Sequence, residues 1–305
     1  MLPDSGKGRP LSTGGTLAEA AGITSPAGPE AEIPSVDWWM TSHCNLACDF
    51  CYGPVPGKDP VERREAILEA LAASSARVVT LCGGEPLLIR KIDQYAATLA
   101  RCGKFTVLNT NGQLLRARLE QGLRLAAFAM VGISIEGSTR EVHRAMRGKN
   151  ADLDAVIDAA RLVAKEPDVC LKLATVVSGV NRDDLPALAG TVRALAPDIW
   201  RLYQYSSRGD QNVGQQRHWL PEDEFRRLVS TATELAAPVP AAPSTEAETA
   251  GCLIVDPAGN VLQPVGADYV RRGNCLEESL DDIWTEIPAQ STIVNNKRWL
   301  SVLTC

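Results

Sequence analysis

The feature that most limits the fold of this chain is a strand-then-helix rhythm that repeats six times. Short apolar stretches at residues 36–40, 78–81, 105–109, 128–135, 169–177 and 199–205 read as strands. Helical spacing falls between them at 60–73, 92–101, 114–121, 151–164 and 185–195; in the first of these Ile67, Leu68 and Leu71 share one face. Strands alternating with helices predict a parallel sheet with helices packed outside it. Six units are too few for a closed eight-stranded barrel. The pattern therefore predicts an α/β fold, a partial six-stranded parallel (β/α)6 barrel. In parallel barrels the chemistry gathers where the strands end.

The flanks read differently. Residues 1–32 are rich in Gly, Pro, Ser and Ala without sustained periodicity and predict a disordered arm. The core spans 33–236. Residues 237–250, with their Pro, Ala and Thr, read as a linker. A tail module at 251–305 follows, with a hairpin over 252–256 and 261–263 and a short helix over 279–286.

Composition removes several function classes. At 305 residues, 45% hydrophobic and 22% charged, the chain resembles an ordinary globular protein. No run approaches the ~20 apolar residues of a membrane span, and no secretory signal is visible at the N-terminus; a cytoplasmic protein is expected. The net charge of −6, with no basic block, argues against a nucleic-acid partner.

Nine cysteines, an odd number, in a chain of this size do not suggest a disulfide scaffold. Cys44, Cys48 and Cys51 form a C-x3-C-x2-C run, while Cys82, Cys102, Cys170, Cys252, Cys275 and Cys305 are scattered. Bunched thiolates select zinc or iron–sulfur clusters. Structural zinc usually takes four ligands, and His43 is the only further candidate nearby. Three cysteines on a 4Fe–4S cluster would leave one iron open.

These cysteines with the aromatic Tyr52, and Gly83-Gly84-Glu85-Pro86 after the second strand, resemble the radical S-adenosylmethionine (SAM) superfamily. The likeness runs over about residues 34–206, through 108–112, 132–137, His143-x3-Arg147-Gly148 and 176–181. It implies that the three thiolates hold one 4Fe–4S cluster whose open iron binds SAM. It implies that Gly83, Gly84, Glu85 and Pro86 line the methionine part, the Glu85 carboxylate meeting its ammonium. Phe50 and Tyr52 would flank the cluster. Asn111 would be a cofactor contact, Ser134 and Glu136 would reach ribose or carboxylate, and residues 177–181, with Asn181, would pack on the adenine. The implied chemistry is reductive cleavage of SAM to a 5′-deoxyadenosyl radical, fed by a flavodoxin- or ferredoxin-type reductant.

The tail is similar to extensions that carry auxiliary clusters in this superfamily, but it departs from them. Gln263-Pro264 stands where a cysteine is usual, and only Cys252, Cys275 and Cys305 remain. A tail without a second cluster implies redox-neutral outcomes such as decarboxylation, dehydration or epimerisation of a small metabolite: a sugar, a nucleoside or an amino acid. Modification of a ribosomal peptide, and a non-catalytic iron–sulfur or zinc module, are the alternatives. Arg201, Arg208, Arg271 and Arg272 lie on the sixth strand, the loop after it and the tail. Together they motivate a positive lid for an anionic substrate.

Overall fold

The computed structural model describes residues 32–287 apart from 55, 56, 58, 209–211, 213 and 250–252. The arm expected at 1–32 therefore lies, but for its last residue, outside the described residues, as do Cys252 and Cys305.

The expected strands are β1 (Ser35–Trp39), β2 (Val78–Cys82), β3 (Phe105–Thr110), β4 (Met130–Ser134), β5 (Cys170–Val177) and β6 (Ile199–Gln204). They pair in parallel and in chain order. The helices between them are α1 (Arg64–Ala73), α2 (Ile92–Arg101), α3 (Leu115–Glu120), α4 (Arg140–Arg147), α5 (Leu153–Val163) and α6 (Leu185–Leu195), followed by α7 (Glu222–Ala236). The six-strand parallel core of a partial α/β barrel is thus present.

The sheet extends beyond that core on both sides. The segment expected to be a linker contains β7 (Ala241–Ser244), which pairs in parallel with β6, and the short helix α8 (Glu246–Thr249). The tail is equally continuous with the core. Its β8 (Leu253–Val255) pairs in parallel with β1, and β9 (Asn260–Val265) and β10 (Asp268–Asn274) follow antiparallel, ahead of α9 (Leu280–Glu286). The result is a ten-stranded sheet in the order β10-β9-β8-β1-β2-β3-β4-β5-β6-β7.

Period-two alternation divides the strand side chains between two faces. Val36, Trp38, Leu81, Leu108, Val131, Leu173, Trp200 and Leu202 pack with Ile67 and Leu71 of α1, Leu99 of α2, Val156 of α5 and Val192 of α6 in the main core. Val78, Phe105, Val107, Met130, Cys170 and Ile199 form a separate apolar layer. Farther along the same strands this second face turns polar, with Asn109, Lys172 and Arg201. Among the described residues no helix is long and apolar enough to cross a membrane.

Candidate functional site

The three cysteines follow β1, and their loop is joined to the loop after β2 by backbone bonds that prolong the strand pairing. The Met40 amide donates to the Cys82 carbonyl (3.0 Å), that of Gly84 to Thr41 (2.7 Å) and that of Glu85 to His43 (2.8 Å). This approach explains both glycines. A Cβ on Gly83 would stand 2.6 Å from the Thr41 oxygen, and one on Gly84 2.1 Å from that of His43. Gly83 also has φ +126°, a conformation that disfavours side chains. Asp59 fixes the start of the loop, accepting from Thr41 and from the Ser42 hydroxyl (2.7 Å) and amide (3.0 Å).

Within the loop each thiol has an N–H directed at it. Leu46 N–H lies 3.4 Å from Cys44 Sγ, Gly53 N–H 3.3 Å from Cys51 Sγ, and Arg147 Nη1 3.9 Å from Cys48 Sγ. Asn111 Nδ2 approaches Cys44 Sγ at 3.9 Å while donating to Asn45 Oδ1 at 2.8 Å. Donors aimed at sulfur suit anionic thiolates and are one lever by which a protein sets an iron–sulfur potential. Burial pushes the Cys48 thiol up to about 12, against the pull of Arg147. Loading a metal there must therefore expel a proton. A soft three-thiolate set on one loop, stiffened from behind by a second loop, fits an iron–sulfur cluster. Cys44, Cys48 and Cys51 are the residues that would hold it.

The motif glutamate is engaged by bonds within the protein. The Glu85 carboxylate is fully buried and accepts from Leu87 N–H (2.9 Å), Thr110 Oγ1 (2.7 Å) and Asn111 N–H (2.9 Å). Burial raises its pKa against those three donors. It clamps its own turn to the end of β3, with Oε1 taking two of the donors and Oε2 one, which leaves Oε2 room to accept another. Pro86 opens the short 3-10 turn Pro86–Leu88 behind it.

The remaining predicted positions gather at the ends of β4 and β5. Ser134 is half-buried at the end of β4. Glu136 is buried and ion-paired with Arg147 (2.7 Å), and its other oxygen accepts from Val176 N–H (2.7 Å). Asn181 ties these loops together, donating to the carbonyls of Glu136 and Val176 (2.9 Å each) and accepting from Ser178 N–H (2.9 Å). Tyr52 is exposed, and its carbonyl accepts from Tyr269 of β10 (2.7 Å).

Arg147 had been read only as part of a motif. It is half-buried, lies 5.6 Å over the Phe50 ring, and sets a guanidinium between Glu136 and the Cys48 thiol. Its place four residues after His143, on a helix ending at Gly148, was the available signal.

The four arginines expected to form a lid are held by different partners. Arg201 is buried and donates to the Ala242 carbonyl (2.9 Å) and Ser244 Oγ (2.8 Å), tying β6 to β7. Arg271 and Arg272 are neighbours on β10, at a bulge where the pairing with β9 shifts register. Arg272 donates to Gln263 Oε1 (2.8 Å). Arg208 is buried, with its Nε on the Gly266 carbonyl (3.1 Å).

A parallel α/β sheet with a three-cysteine loop at its strand ends defines an iron–sulfur enzyme architecture, and comparison with known proteins gives the family. The family model of the radical SAM superfamily matches residues 40–192, and the chain belongs to that superfamily. Its enzymes use a 4Fe–4S cluster and SAM. The chain is 28% identical over 208 residues to the Fe-coproporphyrin III synthase of Methanosarcina barkeri, covering 66% of this chain and 51% of that protein. It is 27% identical over 286 residues to the AdoMet-dependent heme synthase of the same organism, covering 82% and 81%. To the S-adenosylmethionine-dependent nucleotide dehydratase of Lacinutrix mariniflava it is 26% identical over 266 residues, covering 83% and 55%. The chain thus spans about half the length of two of these three relatives. Streptococcus suis SuiB, bound to its precursor peptide SuiA, shares the fold with a TM-score of 0.68 at 18% identity, covering 87% of this chain and 67% of that one.

Proposed function

We propose that this radical SAM enzyme abstracts a hydrogen atom from a small metabolite of the sugar, nucleoside or amino-acid kind and returns a redox-neutral product. The observation that carries the reading is the joining of the Cys44–Cys51 loop to Gly83-Gly84 at the strand ends. When bound, the cluster and SAM supply the electron and the 5′-deoxyadenosyl radical. Cys44, Cys48 and Cys51 hold the cluster, and Gly83 and Gly84 keep the backbone behind it closely packed. Asn111 and Arg147 offer polar contacts facing the thiols, and Phe50 with Tyr205 and Met146 forms an apolar wall that limits water.

A redox-neutral outcome fits the tail. Cys275 packs in the main core with Leu280 and Ile283, and burial pushes its thiol up to about 12. The likeness to a nucleotide dehydratase points the same way. A flavodoxin- or ferredoxin-type reductant and a cytoplasmic location complete the reading.

The test is anaerobic reconstitution followed by dithionite and SAM. About four irons per chain and slow release of 5′-deoxyadenosine are expected. Replacing Cys44, Cys48 and Cys51 together by Ala should abolish both. A triple variant that retained the full iron content would overturn the assignment.

A further inference from the structure

We infer that Arg208 is the substrate's anion-binding residue, so that the substrate brings a carboxylate or phosphate to the mouth of the barrel; this rests on the radical-enzyme reading above. The place of Arg208 is fixed from several sides. Its amide donates to Asn212 Oδ1 (2.7 Å), and Asn212 Nδ2 donates to the Phe50 carbonyl (3.0 Å), between Cys48 and Cys51. Its Nε donates to the carbonyl of Gly266, in the turn between β9 and β10. The residue therefore stands where the loop after β6, the tail hairpin and the cysteine loop meet, and it is only 4% exposed.

What distinguishes Arg208 is what its guanidinium lacks. Its two terminal nitrogens meet no partner among the described residues, and no carboxylate of those residues pairs with it. The other cations of this region are engaged: Arg147 by Glu136, Arg201 by Ala242 and Ser244, and Lys172 by Asn109 Oδ1 at 2.7 Å. These terminal nitrogens of Arg208 are not sealed from solvent, so the fork is open to a ligand. An oxyanion in its fork replaces that solvent with two parallel charge-assisted bonds, a geometry that planar Arg offers and Lys does not.

Two sources could supply such an oxyanion: the substrate, or the carboxylate of SAM itself. The experiment separates them. Reconstituted, SAM-loaded protein is titrated by calorimetry with inorganic phosphate and, separately, with acetate. Wild type should bind at least one of the two. Arg208→Gln should weaken that binding at least tenfold, about 1.4 kcal/mol. Arg208→Lys should fall between, since it keeps the charge and loses the fork. The Kd for SAM should stay within about twofold in both variants.

If wild type binds neither anion, or if Arg208→Gln binds them as wild type does, the proposal is wrong. A tenfold rise in the SAM Kd of Arg208→Gln also overturns it, because the anion is then the SAM carboxylate. Iron content is measured on every sample. If Arg208→Gln loses its iron, Arg208→Lys alone decides, and wild-type anion affinity in that variant overturns the proposal. The radical-enzyme reading is judged separately, on release of 5′-deoxyadenosine by the wild type. Its failure with anion binding intact would leave the site and remove the reaction.

Discussion

The imidazole of His218 meets the carboxylate of Asp49 at 2.9 Å across 169 positions of sequence, and Asp49 lies between Cys48 and Cys51. His218 is completely buried. Its Nδ1 faces Ser178 Oγ at 3.2 Å, and its ring lies 5.7 Å from Phe50 and 5.3 Å from Tyr205. Arg217 pairs with the same carboxylate. The segment after β6 is thereby latched onto the cysteine loop. His218→Ala should release the latch, and a chelator should strip iron from the reconstituted protein several-fold faster than from wild type. His218→Gln, which can still reach Asp49, should lose iron at an intermediate rate. Equal rates in all three proteins would show that the latch does not support the cluster site.

Gly84 and Gly190 give opposite expectations for the same change. A Cβ at Gly84 would stand 2.1 Å from a backbone oxygen, whereas one at Gly190, inside α6, would meet nothing within 4 Å. Gly84→Ala must force the two loops apart and should cut iron loading by at least half. Gly190→Ala removes unfolded-state freedom at an unstrained helical position and should stabilise by roughly 0.5–1 kcal/mol. Denaturant unfolding and iron assay on the two variants check both halves.

The contrast between α6 and α4 shows what the sequence made legible. Residues 185–195 and 92–101 match α6 and α2 to the residue, because each buries a regular apolar stripe. Helix α4 has no such stripe: it is densely charged and buries only His143 and Met146. Strand β7, AAPS, has a proline and a composition like a linker; at a sheet edge a proline is tolerated, and only the pairing with β6 reveals the strand. In β10 the adjacent Arg271 and Arg272 hide the alternation. The same rule governs the site. Thiol and glycine spacings are local and readable, whereas Glu136–Arg147 and Asp49–His218 exist only once loops from different strands meet.

Glu85 clamps the turn that carries Gly83-Gly84 to the end of β3. Its carboxylate bonds donors from Leu87, Thr110 and Asn111, all in the interior. Glu85→Ala leaves buried donors unpaired at about 1–3 kcal/mol each, and the loop carrying Gly83-Gly84 loses its anchor. The variant should therefore unfold at lower denaturant and load less iron. A variant with wild-type stability and iron content, and only a weakened affinity for SAM, would support the ligand-contact role.

His143 supplies a pH dependence whose sign can be worked out. The ring is completely buried, and its Nδ1 accepts from Glu136 N–H at 3.3 Å. The proton of the neutral ring therefore sits on Nε2, which has no partner. Burial, with the nearby charge of Arg147, lowers its pKa to about 3. The unfolded chain takes up a proton near pH 6.5, so between about pH 6.5 and 3 the unfolded state holds more protons than the folded one. Stability must rise with pH in that window. The contribution is complete above pH 6.5 and is lost as the pH falls towards 3. The slope from this one residue is at most ~1.4 kcal/mol per pH unit. Anaerobic denaturant unfolding of wild type and His143→Gln between pH 7 and 5 isolates it, because the other titrating groups are common to both. Wild type should lose stability more steeply on acidification than the variant. Parallel curves would mean that His143 is protonated alike in the folded and unfolded chain.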